Sequence, residues 1–281
     1  MTATQQDLSS APTPVVNGTT KRRRFWPLEF YRSAVGKKYV MAITGVIGLA
    51  FVLGHMVGNL KLYLGAGDMN HYGEFLRELL VPLLPRTWAL WGFRLLLIGA
   101  LVLHVHAAYA LTVMNRRARP ERYAGGRDYV VANYASRTMR WSGIIVLLFI
   151  GFHLLDLTAG TVNPEFVRGD PANNMVATFD GRPLVAAGYV IANLALGIHI
   201  FHGAWSLFQS IGANNPRFNR WRRSFAQGFA ALIVLGNVSF PVLISAGVVD
   251  RDAEARVEAC ESRGELGTAE PCLEAEAEAD A

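Results

Sequence analysis

Four histidines, His55, His104, His153 and His199, each fall inside a different apolar segment of membrane-crossing length. An ionisable side chain in the bilayer interior is costly and turns inward to a partner, so the four segments must converge. Five stretches, roughly 39–60, 88–113, 140–160, 184–211 and 224–248, reach the ~20 apolar residues a helix needs to cross. With 52% hydrophobic residues and a positive mean hydropathy, the chain lies outside the ordinary soluble class. Lipid tolerates only structures that satisfy their own backbone polar groups. The expected fold is therefore all-α: an integral membrane protein with five transmembrane helices, four of them forming the histidine-bearing bundle.

The first apolar stretch is too long for a signal-peptide core and lacks a small-residue cleavage site, which predicts a retained helix. Residues 30–249 read as one membrane domain. Residues 1–29 read as a disordered, basic N-terminal segment and 250–281 as an acidic, solvated tail. Lys and Arg set the orientation, because cationic loops stay on the cytoplasmic side. Eighteen fall in the N-terminal segment and the 114–140 and 212–223 connections, against eight on the other side. The N-terminus is expected in the cytoplasm and the C-terminus outside, as in the inner membrane of a bacterium. The basic residues flank membrane segments without any nucleic-acid-binding motif, so no nucleic-acid partner is expected. Cys260 and Cys272 lie in the outer tail, where a bridge or two unpaired thiols are both open readings.

Counting 1.5 Å per residue from the outer ends places His55 and His153 ~8–10 Å deep, and His104 and His199 ~24–26 Å deep. Two layers ~16 Å apart suit two stacked haems, each held by two imidazoles in one bundle. A single membrane histidine has a plainer use as an interhelical hydrogen bond. Four at two matched depths favour ligation of haem iron. His106 lies about 200° round the helix from His104, so only one of them can face a given haem, while His202 shares a face with His199. His71 falls in an outer loop.

Several motifs then resemble one family. Gly36-Lys37-Lys38, Ala42-Ile43-Thr44-Gly45 and Gly54-His55-Met56-Val57-Gly58-Asn59-Leu60 are similar to the first helix of the single-chain, five-helix cytochrome b membrane anchor of succinate dehydrogenase (succinate:quinone oxidoreductase). Leu103-His104 with Ala118-Arg119-Pro120 resembles its second helix and inner loop, Phe152-His153-Leu154 its third, and His199-Ile200-Phe201-His202-Gly203 with Phe208-Gln209-Ser210-Ile211-Gly212 its fourth. The likeness covers about residues 30–250.

The resemblance implies two haem b groups, an inner one on His104 and His199 and an outer one on His55 and His153. A pattern of some relatives would instead select His106, and the longer match favours His104. It further implies flavoprotein and iron–sulfur partner subunits, carrying FAD and the clusters, docked on the cytoplasmic face, with membrane lipid around the chain. A small additional membrane subunit is a further partner to allow for. The chain would be a subunit of the enzyme, with no succinate-oxidising site, passing electrons to a quinone, menaquinone being the expected one. Expected roles follow: Arg94 on a haem propionate, Glu74 or Asp156 at quinone protons on the outer side, and Ser33 with Lys37 at an inner quinone site. Trp88, Trp91, Trp141 and Trp221 read as interfacial anchors. The alternatives are a cytochrome b of fumarate reductase, formate dehydrogenase or hydrogenase, or a proton-coupled transporter. A transporter predicts an internal repeat or broken helices, and the reading finds neither a repeat nor a mid-segment proline.

Overall fold

Each apolar segment forms one long helix, and polar sequence at the ends decides where it stops. The computed structural model describes residues 25–118, 132–210, 212, 215–249 and 277. The order is α1 (Trp26–Arg32), α2 (Ala34–Asn59), a 3₁₀ turn (Leu60–Leu64), α3 (Ala66–Glu78), α4 (Trp88–Arg117), α5 (Ala132–Leu157), α6 (Pro171–Phe179), α7 (Pro183–Ser210) and α8 (Pro216–Ser245). Among the described residues there is no strand, and five helices are long and apolar enough to cross a membrane. The chain is an all-α, multi-pass membrane protein.

The long helices overrun the apolar stretches on the basic side. α2 begins at Ala34, α5 at Ala132 and α8 at Pro216. The starts are capped: the Ser33 hydroxyl accepts from Gly36 N at 2.9 Å, and Asn215 Oδ1 accepts from Arg217 N at 2.9 Å with proline next in the chain. α1 straddles the boundary expected between residues 29 and 30. At that corner α2 folds back so closely that a Cβ on Gly36 would collide with the Phe30 carbonyl. α8 also contains Pro241, four residues from its end. A proline so near the terminus is not a mid-segment one and leaves most of the helix unbroken.

α2 packs along α4, α5 along α7 and α7 along α8, while α2 also touches α7 and α8. Small residues permit these approaches: a Cβ on Gly197 would meet Val234 of α8, and one on Gly236 would meet Met56 of α2. The exterior keeps its apolar side chains, with Leu95 64% exposed, Leu148 70% and Leu235 72%. Water would not favour such a surface, whereas a bilayer does. Trp88, Trp91, Trp141 and Trp221 are exposed near the helix ends.

Two short helices absent from the sequence reading close one end. α6 has every residue from Ala172 to Phe179 buried, among α3, α5, α7 and α8. Asp170 caps it by accepting from Asn173 N at 2.9 Å. Asn70 of α3 locks it from above, donating to Asp170 Oδ1 at 3.0 Å and accepting from Ala172 N at 3.1 Å. Residues 1–24, the connection 119–131 and Cys260 with Cys272 lie outside the described residues.

Candidate functional site

α2 and α5 run in one direction and α4 and α7 return, so a residue early in α2 can meet one late in α4. That geometry brings the intramembrane histidines together in two pairs. The His55 and His153 ring centroids are 5.8 Å apart, and those of His104 and His199 are 6.3 Å apart. Each pair joins a helix of the α2/α4 unit to a helix of the α5/α7 unit.

The spacing has a chemical reading. With metal–nitrogen bonds of ~2 Å, two imidazoles on opposite sides of one iron put their ring centroids ~6 Å apart. No group of three or more His, Cys, Asp or Glu that could hold a bare metal ion exists among the described residues. Two imidazoles suit a metal that brings its own equatorial ligands, as a haem does. Gly48 lies two turns before His55 on the same face of α2, and a Cβ there would meet nothing within 4 Å.

The His104 and His199 rings lean on small polar residues. His104 Nδ1 lies 3.0 Å from Thr44 Oγ1, and His199 Nδ1 lies 3.3 Å from Ser142 Oγ. Around the outer pair, Phe51 stacks on His55 at 5.3 Å, and the Tyr189 hydroxyl lies 3.4 Å from His153 Nδ1. Asn59 Nδ2 lies 3.5 Å from His55 Nε2, at the limit of a hydrogen bond.

His106 is placed elsewhere. Its Nδ1 lies 2.5 Å from the Tyr31 hydroxyl, and the two rings stack at 5.8 Å, tying α1 to α4. His202 is half-buried beside Phe201, with ring centroids 5.0 Å apart. His71 lies exposed on α3.

The other expected site residues are distributed differently from their sequence roles. Asp156 is fully buried in a closed network: it accepts from Thr178 at 3.0 Å and Tyr189 at 2.9 Å, and pairs with Arg182 at 3.3 Å. It is enclosed rather than open to a ligand, and Tyr189 connects it to His153. Glu74 is the accessible carboxylate, 47% exposed, and pairs with Arg77 and Arg86. Burial raises its pKa, but the Arg86 hydrogen bond and the nearby Arg77 charge outweigh that and hold it below the usual carboxylate value. Arg94 is exposed with its guanidinium 4.9 Å from the Trp91 ring centre, and no carboxylate pairs with it among the described residues. Ser33 and Lys37 belong to the α1–α2 corner. The Ser33 hydroxyl caps α2, and the buried Lys37 ammonium donates to the Tyr31 and Arg32 carbonyls at 3.0 and 2.8 Å.

Sequence reasoning missed Tyr189, Tyr31, Thr178 and Arg182. They lie far in sequence from the histidine or carboxylate they contact, so only the helix pairing marks them. No protein-family model, curated protein or solved structure matches the chain. Fold and site together define a multi-pass helical membrane protein with two imidazole pairs between its helices, His55 exposed and the other three rings half-buried.

Proposed function

We propose that this chain is a dihaem cytochrome b, the membrane-anchor subunit of a succinate:quinone oxidoreductase in a bacterial inner membrane. The observation that carries the reading is the pair of imidazole contacts, 5.8 and 6.3 Å between centroids, on four separate membrane helices. His55 with His153 would hold an outer haem, and His104 with His199 an inner one. Each haem supplies a one-electron carrier within the bilayer.

The chain's own residues bind, orient and insulate. Four helices from two packed units bring the imidazoles to fixed places, and lipid-facing leucines keep water from the rings. His55 with His153 and His104 with His199 would each hold their haem through two imidazoles, which would supply electron transfer rather than ligand binding. Basic ends of α2, α4, α5 and α8 form the face on which flavoprotein and iron–sulfur subunits would dock. Of the two carboxylates expected to serve quinone protons on the outer side, Glu74 is accessible and Asp156 enclosed.

The deciding measurement is a reduced-minus-oxidised spectrum with haem quantitation on the purified chain. Two six-coordinate, low-spin b haems per chain are expected. One haem or none overturns the proposal, and none would return the histidines to a relay in a transporter.

A further inference from the structure

The two inner histidines are held by one short device that the chain uses twice. Met41-Ala42-Ile43-Thr44-Gly45 on α2 and Met139-Arg140-Trp141-Ser142-Gly143 on α5 share the pattern Met-x-x-(Ser/Thr)-Gly. Each segment faces a histidine of the antiparallel neighbour. Thr44 Oγ1 is 3.0 Å from His104 Nδ1 and Ser142 Oγ is 3.3 Å from His199 Nδ1. The following glycine receives the ring edge: a Cβ on Gly45 would stand 3.8 Å from His104 Cε1, and one on Gly143 would stand 3.3 Å from His199 Cε1.

Proton bookkeeping fixes the roles. A hydroxyl has one proton to donate. Thr44 Oγ1 donates to the Val40 carbonyl at 2.7 Å, and Ser142 Oγ donates to the Met139 carbonyl at 3.1 Å. With its proton on that carbonyl, each hydroxyl is an acceptor towards the imidazole, an arrangement that places the ring proton on Nδ1 in both histidines. Nε2 keeps its lone pair, and in neither ring does it have a hydrogen-bond partner among the described residues.

We propose that Thr44 and Ser142 are positioning residues that fix His104 and His199 as Nδ1–H tautomers with Nε2 as the metal-binding nitrogen, and thereby set the potential of the inner haem. The inference rests on the dihaem reading and deepens it. Donation from Nδ1–H makes an imidazole a stronger donor to iron, which favours the oxidised metal and lowers the potential. No such motif precedes the partner of His55 or His153, so the outer haem provides an internal control.

The test is a redox titration of both haems in the full-length chain carrying Thr44→Val, Ser142→Ala or both, with Thr44→Ser and Ser142→Thr as conservative replacements. Both haems should stay bound. One component should shift to higher potential in each single variant and further in the double, the other should stay fixed, and the conservative replacements should restore the wild-type value. No shift, an equal shift of both components, or a shift of the component lost in His55→Ala overturns the assignment. A readout independent of haem separates this from the dihaem reading. In the haem-free chain, ¹⁵N shifts of His104 and His199 should report Nδ1–H, with Nε2–H gaining population in the variants. An Nε2–H tautomer in the wild-type chain overturns the positioning role, whereas wild-type protein holding no haem overturns the function itself.

Discussion

The Tyr31 hydroxyl lies 2.5 Å from His106 Nδ1, so the histidine two residues from His104 is bound to α1 on another face of α4. His104 instead meets His199 of α7. The two neighbouring histidines thus have separate partners, as the 100° step per residue requires.

His104→Ala should therefore remove one haem from the chain, while His106→Ala and Tyr31→Phe should leave both bound. The latter two should loosen α1, seen as faster hydrogen exchange over residues 26–32. Loss of haem in His106→Ala with retention in His104→Ala would reverse the roles.

Asp156 sits with no exposure against Arg182, and a buried charge left without its partner is destabilising by ~3–5 kcal/mol. Arg182→Leu should lower stability by about that order, less any compensation from the Thr178 and Tyr189 bonds. Combining it with Asp156→Asn should recover most of the loss, because the uncompensated charge is removed. Denaturant titration in detergent measures both. Equal loss in the single and double variants would show that Arg182 acts by packing alone.

Much of this architecture is legible in the sequence, and the reasons differ by element. Apolar runs of membrane length specify α2, α4, α5, α7 and α8, since lipid leaves a helix as the one open-chain solution. Depth counting also places His55 level with His153 and His104 level with His199. α6 is not legible. Its nine residues carry two asparagines and a threonine, and it is helical because α3, α5, α7 and α8 enclose it and Asn163, Asn174 and Thr178 satisfy one another there. Asp156 reads as an exposed proton group because it follows His153 by one turn, whereas its partners Arg182 and Tyr189 are distant in sequence. The recurrence of Met-x-x-(Ser/Thr)-Gly is visible in the letters but gains meaning only when each copy is seen against a histidine.

Glu74 has its carboxyl held below the usual value of 4.5 by Arg86 and Arg77 against the opposing effect of burial. A group whose folded pKa is depressed stabilises above the unfolded value, and that contribution is lost as pH falls through the folded one. The α3–α4 connection should thus lose hydrogen-exchange protection in acid below about pH 4.5, by the few tenths to 1 kcal/mol of an exposed pair. Glu74→Gln should produce the same loosening at neutral pH. In the assembled complex it should also slow quinone turnover with both haems retained, and unchanged turnover would leave the carboxylate as an anchor for Arg86.

Gly48 tests the space between the layers without touching a histidine. It lies two turns before His55 on one face of α2, is only partly exposed, and has nothing within 4 Å of where a Cβ would stand. If a flat macrocycle fills that space, Gly48→Leu must compete with it for volume, and a core that cannot give way rejects added methylenes at a cost of ~1–3 kcal/mol. Haem content should then fall severalfold in Gly48→Leu, with helix content by circular dichroism unchanged, while Gly48→Ala keeps most of its haem. The depleted component should be the one that His104→Ala removes, because Gly48 lies one turn from Thr44 and Gly45 at the His104 ring and two turns from His55. Full haem content in Gly48→Leu would mean that no macrocycle fills the space beside Gly48.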